Sequence, residues 1–163
     1  MRKAEVQSAG TPTTLPAGPG DSPVGPVGPV GSMRHDIRVI FGDTDQMGVV
    51  YYANYLRYFE SARAAYWRWL GKSYKDLEAW GVALPVVEAH CHYRRPAHYE
   101  DVLGVDVHVS ELRGASLRFA YRIYRGDELV AEGDTRHAVI GTDGRPRALP
   151  AAMRDAIPPI TGA

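Results

Sequence analysis

"FGDTDQMGVVYYANYLRYFE", Phe41 to Glu60, places two acids two residues apart, then a glycine and two valines, directly before an aromatic-rich segment. On the N-terminal side, "HDIRVIFGD" (35–43) alternates polar with apolar at Ile37, Val39 and Phe41, which predicts a half-buried strand. On the C-terminal side the period changes. Tyr55, Tyr58, Phe59, Ala62, Tyr66, Trp69 and Leu70 recur at steps of three and four, the broad apolar face of a helix over 54–70. Asn54 is the expected N-cap and Gly71 the expected terminator. The acids therefore fall where a strand hands over to a helix N-terminus.

Beyond the helix, "KSYKDLEAWG" (72–81) is expected to form a short helix or a turn. Period two then takes over. "PVVEAHCHYRRP" sets Val87, Ala89, Cys91 and Tyr93 on an inward face against Glu88, His90 and His92, and "VLGVDVHVSEL", "SLRFAYRIYR" and "ELVAEGDTRHAVIG" continue as strands. In the third of these runs Leu117, Phe119, Tyr121 and Ile123 face one way and Arg118 and Arg122 the other. "RGDE" (125–128) and "TDGRP" (142–146) read as turns. Each strand needs an apolar partner for one face, and the 54–70 helix is the one element large enough. An α+β layer pair follows: a five-stranded antiparallel sheet wrapped around one long central helix.

Composition narrows the function classes. Nineteen basic and nineteen acidic residues give zero net charge, so no global field favours nucleic acid, and an anionic ligand needs a local cluster. The single cysteine, Cys91, leaves no intrachain disulfide and no cysteine-based zinc site. No apolar run nears the ~20 residues that span a bilayer, so a soluble, cytoplasmic chain is expected. Twelve of the first 32 residues are proline or glycine, which predicts a disordered tail over 1–32 and one folded domain over 33–163.

"DTDQMGVVYYANYLRYFE" resembles the signature of the 4-hydroxybenzoyl-CoA thioesterase-like acyl-CoA thioesterases, the group that includes the Tol-Pal-associated enzymes. The likeness extends through "YEDVLGVDVHVSELRGASLRFAYRI" and "GRPRALP". It implies the hot-dog fold and hydrolysis of an acyl-CoA thioester to free acid and CoA. It also implies that Asp45 is the catalytic acid and that the backbone N–H of Tyr52 polarises the thioester carbonyl. Some relatives carry His where this chain has Tyr52, so no imidazole is available there. The phosphate contacts of CoA are implied at Arg113, Ser116 and Arg147, with Arg145 and the Arg94–Arg95 pair as further cations. Gly114 and Ala115 stand where relatives have more basic residues.

The residues themselves can support that chemistry. A helix N-terminus offers unpartnered N–H groups and about half a positive charge, suited to a developing oxyanion. Gly48 gives the bend, and Val50, Tyr51, Asn54 and Tyr55 are expected to border the substrate. Asp45 acts as base or nucleophile. A carboxylate suffices because the leaving thiol has a pKa of roughly 8.5 by analogy with cysteine. Asp43 is expected to shape the loop, since Asp-Thr-Asp is also a common Asx turn. His90 and His92 on one strand face, with His98 nearby, could touch a metal, but no third ligand has the right spacing. No metal and no cofactor are expected, CoA being part of the substrate. Two other readings stay open. A hot-dog hydratase or dehydratase would need a His that the helix-start motif lacks, and a non-catalytic acyl-CoA-binding protein would need an output module. An exposed sheet edge is expected to pair two protomers, giving a homodimer or, if dimers stack, a homotetramer, with the site between protomers.

Overall fold

The computed structural model describes residues 28–160. The chain runs β1 (Met33–Arg38), a 3-10 turn (Phe41–Asp43), α1 (Asn54–Trp69), α2 (Tyr74–Ala79), β2 (Val82–Ala83), β3 (Val86–Tyr93), β4 (Val102–Arg113), β5 (Ser116–Arg125), β6 (Glu128–Ala138), β7 (Ile140–Gly141) and α3 (Ala151–Arg154). Five strands form one antiparallel sheet in the order β1-β4-β5-β6-β3, and β2 with β7 forms a separate small ribbon. The expected layer pair is present. Tyr55, Tyr58, Phe59, Ala62 and Tyr66 of α1 are buried against Leu117, Phe119, Tyr121 and Ile123 of β5, all within 4 % of full burial. Phe59 stacks on Tyr121 at 4.2 Å between ring centroids. Of the proline-rich stretch, residues 28–32 make a turn closed by Ser32 N–H on the Pro29 carbonyl at 2.9 Å; the rest of the expected tail lies outside the described residues.

Several local expectations need correction. The alternation from Ile37 stops at Val39, because the 3-10 turn changes the phase of the chain and leaves Phe41 76 % exposed. The helix cap is Ala53, with no side-chain cap; the Asn54 amide instead donates inward to the Asp43 carbonyl at 2.9 Å. Trp67 is fully buried while Trp69 is exposed, so the apolar face is wider toward position 67 than a strict three-four step suggests. Gly71, at φ +71°, does end the helix region. "KSYKDLEAWG" resolves into a helix with a capping box, Ser73 and Asp76 bonding each other's backbone N–H. Strand β3 departs furthest. Val87, Ala89 and Tyr93 are exposed and Cys91 only half-buried, because β3 is the last strand of the sheet, with a neighbour on one side alone.

A buried polar chain crosses the core. His137 is 1 % exposed, and its Nδ1 lies 3.0 Å from the Leu84 carbonyl, which can only accept. Nδ1 therefore carries the proton and Nε2 accepts from Thr135 Oγ1 at 2.9 Å. Thr135 in turn accepts from Tyr121 Oη at 2.9 Å, and Tyr121 accepts from Arg63 Nη1 at 3.2 Å. Burial pushes the His137 imidazole down to about 4. The unfolded chain gains a proton near pH 6.5 that the folded chain refuses until about pH 4. Stability from this group is thus intact above pH 6.5, falls through that window and levels off below it, an integrated loss of about 3 kcal/mol. His35 and His108, lowered chiefly by burial, act with the same sign. Urea midpoints for wild type should fall between pH 7 and 4.5, and His137→Gln should fall less steeply. Equal slopes in the two proteins would rule this out.

Candidate active site

The acids Asp43 and Asp45 do different things. Asp43 is 4 % exposed and its carboxylate accepts from Tyr58 Oη at 2.8 Å and from Arg57 Nη1 at 3.2 Å. Its carbonyl accepts from the Tyr51 N–H and the Asn54 amide, each at 2.9 Å. Burial, and then the Asp43 contact, raises the Tyr58 phenol, so this hydroxyl stays a donor. Asp43 ties the loop to the first turns of α1 and has no free face.

Asp45 heads a tight loop. Its N–H donates to the Val49 carbonyl and its carbonyl accepts from Gly48 N–H, both at 2.9 Å. One carboxylate oxygen accepts from Met47 N–H at 2.8 Å, which leaves the other free of protein partners among the described residues. Gly48 sits at φ +75°, a conformation that L side chains rarely adopt, while nothing lies within 4 Å of where its Cβ would be. The glycine is there for its backbone angle.

Asp45 lines a cleft of about 370 Å³ together with Val50, Tyr52, Tyr55, Tyr93 and Arg95. Val50 is anchored by its N–H on the Ala97 carbonyl at 2.8 Å. Tyr93 Oη donates to the Tyr52 carbonyl at 3.1 Å. Burial first, and then Cys91, holds that phenol up at about 12, so it remains a donor. The Tyr52 N–H, one residue before the cap of α1, has no acceptor among the described residues. Asp45, with one carboxylate oxygen free, and Tyr52, with its N–H unpartnered just before the helix, thus line one cleft. The Tyr51 and Tyr52 rings lie tilted at 54° with centroids 4.6 Å apart, and Asn54 is turned away onto Asp43.

The expected phosphate contacts gather elsewhere. Arg113 and Ser116 face each other across the β4–β5 turn. Val139 N–H donates to the Ala115 carbonyl at 2.8 Å, and the Val139 carbonyl accepts from Arg147 N–H at 2.9 Å, so Arg147 lies beside that hairpin. Arg113 pairs with Glu111, and Arg147 with Asp143 at 2.8 Å, both at exposed positions. This group adjoins the Val86 end of β3, whereas the Asp45 cleft adjoins its Tyr93 end. Seven residue steps of strand separate the two, roughly 23 Å. Arg94 and Arg95 border the Asp45 cleft directly, Arg94 paired with Glu132 at 2.7 Å. His90 approaches Asp134 and His98 approaches Asp101, and no metal-binding group of three is formed among the described residues. Tyr93 and Pro96 were not expected at the cleft; a strand end touching a loop some forty residues earlier leaves no local signal.

The comparisons with known proteins place this architecture in a class of hydrolases. Residues 39–157 match the thioesterase-like superfamily, and the chain belongs to it. Acyl-CoA thioester hydrolase YbgC of Escherichia coli is 33 % identical over 123 residues, 74 % of this chain and 91 % of its own length. A 1,4-dihydroxy-2-naphthoyl-CoA hydrolase of Synechococcus elongatus is 35 % identical over 124 residues, 72 % of this chain and 90 % of its own. Among solved structures, a 1,4-dihydroxy-2-naphthoyl-CoA thioesterase from Synechocystis superposes with a TM-score of 0.74 at 27 % identity, covering 78 % of this chain and 96 % of that one. The fold is the hot-dog fold, and the chain is a thioester hydrolase by class.

Proposed function

We propose that this protein hydrolyses an acyl-CoA thioester to free acid and CoA, with Asp45 as base or nucleophile and the Tyr52 N–H as oxyanion donor. The observation that carries the reading is the shared cleft: one free carboxylate oxygen and one unpartnered helix-start N–H. As base, Asp45 takes a proton from water while the water oxygen bonds to the carbonyl carbon. As nucleophile, it bonds to that carbon itself, and water cleaves the mixed anhydride afterwards. Either way the C–S bond breaks, and the thiolate, a good leaving group, is released and protonated. Neither route calls for a metal or cofactor. Among the described residues no helix is long and apolar enough to cross a membrane, and a cytoplasmic setting belongs to the same proposal.

The spacing of the two half-sites supports a shared site. Strand β3 is an open edge, and two copies pairing antiparallel about a two-fold axis set the Val86 end of one beside the Tyr93 end of the other. The Arg113–Ser116–Arg147 group of one protomer then faces the Asp45 cleft of its partner. A homodimer is the minimum active unit, and further stacking gives a tetramer. Incubation with a panel of acyl-CoAs and a thiol reagent tests the reaction. Free thiol is expected; CoA esters that bind without releasing thiol would point to a binding protein instead. A monomer by light scattering at assay concentration, with full activity, would overturn the shared site.

A further inference from the structure

Arg63 is 8 % exposed, and no carboxylate lies within ion-pair distance of it among the described residues. Its guanidinium is permanently charged, and its partners are two phenols: Nε donates to Tyr74 Oη at 2.7 Å and Nη1 to Tyr121 Oη at 3.2 Å. Nη2 has no acceptor among the described residues. The proton order along His137, Thr135 and Tyr121 commits the Tyr121 hydroxyl hydrogen to Thr135, so that side of the guanidinium is fixed in place. The two phenols sustain the charge but do not neutralise it, and Nη2 is not among the buried unpartnered atoms, so it is open to the cavity and able to take an anion from outside the chain.

An opening exists for one. Arg63 and Thr135 line a cavity of about 230 Å³ between α1 and the open strand, bordered by Leu56, Val86 and Ala89. An engineered cavity of about 150 Å³ admits benzene, so this one has room for an acyl chain end. The other two charges at the cavity, Arg57 and Glu60, are exposed. Arg57 is already paired with Asp43. Glu60 lies one helical turn from Arg63 and is not paired with it, because the two tyrosines draw the guanidinium inward. The cavity opens along the Val86–Ala89 half of β3, the half that the two-fold sets beside the partner's Asp45 cleft.

We propose that this cavity receives the far end of the acyl group and that Arg63 selects acyl-CoAs whose chain ends in a carboxylate. The assignment rests on the thioesterase reading and on the paired β3 edges. The guanidinium meets the terminal carboxylate in a charge-assisted pair, while an alkyl end of equal shape leaves the cation buried and alone.

The test compares succinyl-, glutaryl- and adipyl-CoA with alkanoyl-CoAs in which an isopropyl group replaces the terminal carboxylate, such as 5-methylhexanoyl-CoA for glutaryl-CoA. Wild type should prefer at least one carboxylate ester over its isostere by tenfold or more in kcat/KM. Arg63→Met should collapse that ratio toward one, and Arg63→Lys should restore part of it. Binding of the same pairs to Asp45→Asn protein, read by calorimetry, gives the ratio without turnover and without altering Arg63. Thiol release from all esters with no such preference sinks this assignment and leaves the thioesterase reading standing. A preference that survives Arg63→Met sinks it too, and a preference for the isosteres would show that a partner's acid already occupies the guanidinium. No thiol release from any ester would instead remove the parent reading.

Discussion

Asp45→Asn is expected to lower kcat by about 10²- to 10⁴-fold, the span that general-base groups usually contribute. The substitution is nearly isosteric, and an asparagine carbonyl oxygen can still accept the Met47 N–H that holds the loop at 2.8 Å. Thermal stability should therefore change by less than about 0.5 kcal/mol, the range of substitutions that break no buried contact. KM should move little, since the Tyr52 N–H and the arginine groups are untouched. Asp43→Asn provides the contrast. It weakens the buried bonds to Tyr58 and Arg57 and should cost stability first, with activity falling as the loop loosens. Single-turnover measurements beside melting curves separate the two acids. Asp45→Asn protein retaining a tenth or more of wild-type kcat would remove the carboxylate from the mechanism.

Gly133→Ala is expected to carry the largest stability penalty of any glycine-to-alanine change among the described residues. A Cβ at Gly133 would stand 2.1 Å from the His90 carbonyl oxygen and 2.9 Å from the Phe59 ring. The first neighbour is backbone in β3, and the second is locked between Gly133 and Tyr121 by the 4.2 Å stack. Neither can turn aside without moving a strand or repacking the core. Overpacking in a core typically costs about 1–3 kcal/mol, and a backbone clash belongs at or above the top of that range. Because β3 carries the proposed dimer edge, the variant should also dissociate more readily. Chemical denaturation of dilute and concentrated samples reads both effects. A midpoint within experimental error of wild type would show that β3 shifts freely.

The helix and the core face of β5 were legible because their periods are carried by consecutive residues in one element. Leu117, Phe119, Tyr121 and Ile123 read as one buried row and are one. The distinction between Asp43 and Asp45 came from the resemblance; the structure adds the reason Asp43 is confined, its bonds to Tyr58 and Arg57. Strand β3 misled because alternation records which side chains are apolar, not whether anything covers them. Val87 and Ala89 alternate correctly and are bare in a single protomer. The polar chain through Arg63 was invisible for another cause. Its members come from α1, α2, β5 and β6, and the Arg63–Tyr121 bond spans 58 residues. No window of sequence brings such groups together. Arg63 itself falls outside the row of apolar positions that marks the helix, so its own residue type gives no sign of burial.

In the proposed site the group that polarises the carbonyl is a main-chain N–H, set by the turn before α1 and by the Tyr93 bond to the adjoining carbonyl. It has no genetic code of its own: any residue except proline at position 52 would present the same hydrogen. Evolution can therefore reshape the walls of the cleft, exchanging tyrosines for smaller or bulkier groups, without rebuilding the apparatus that draws charge from the carbonyl. A scaffold of this kind can change clients cheaply while keeping one trade.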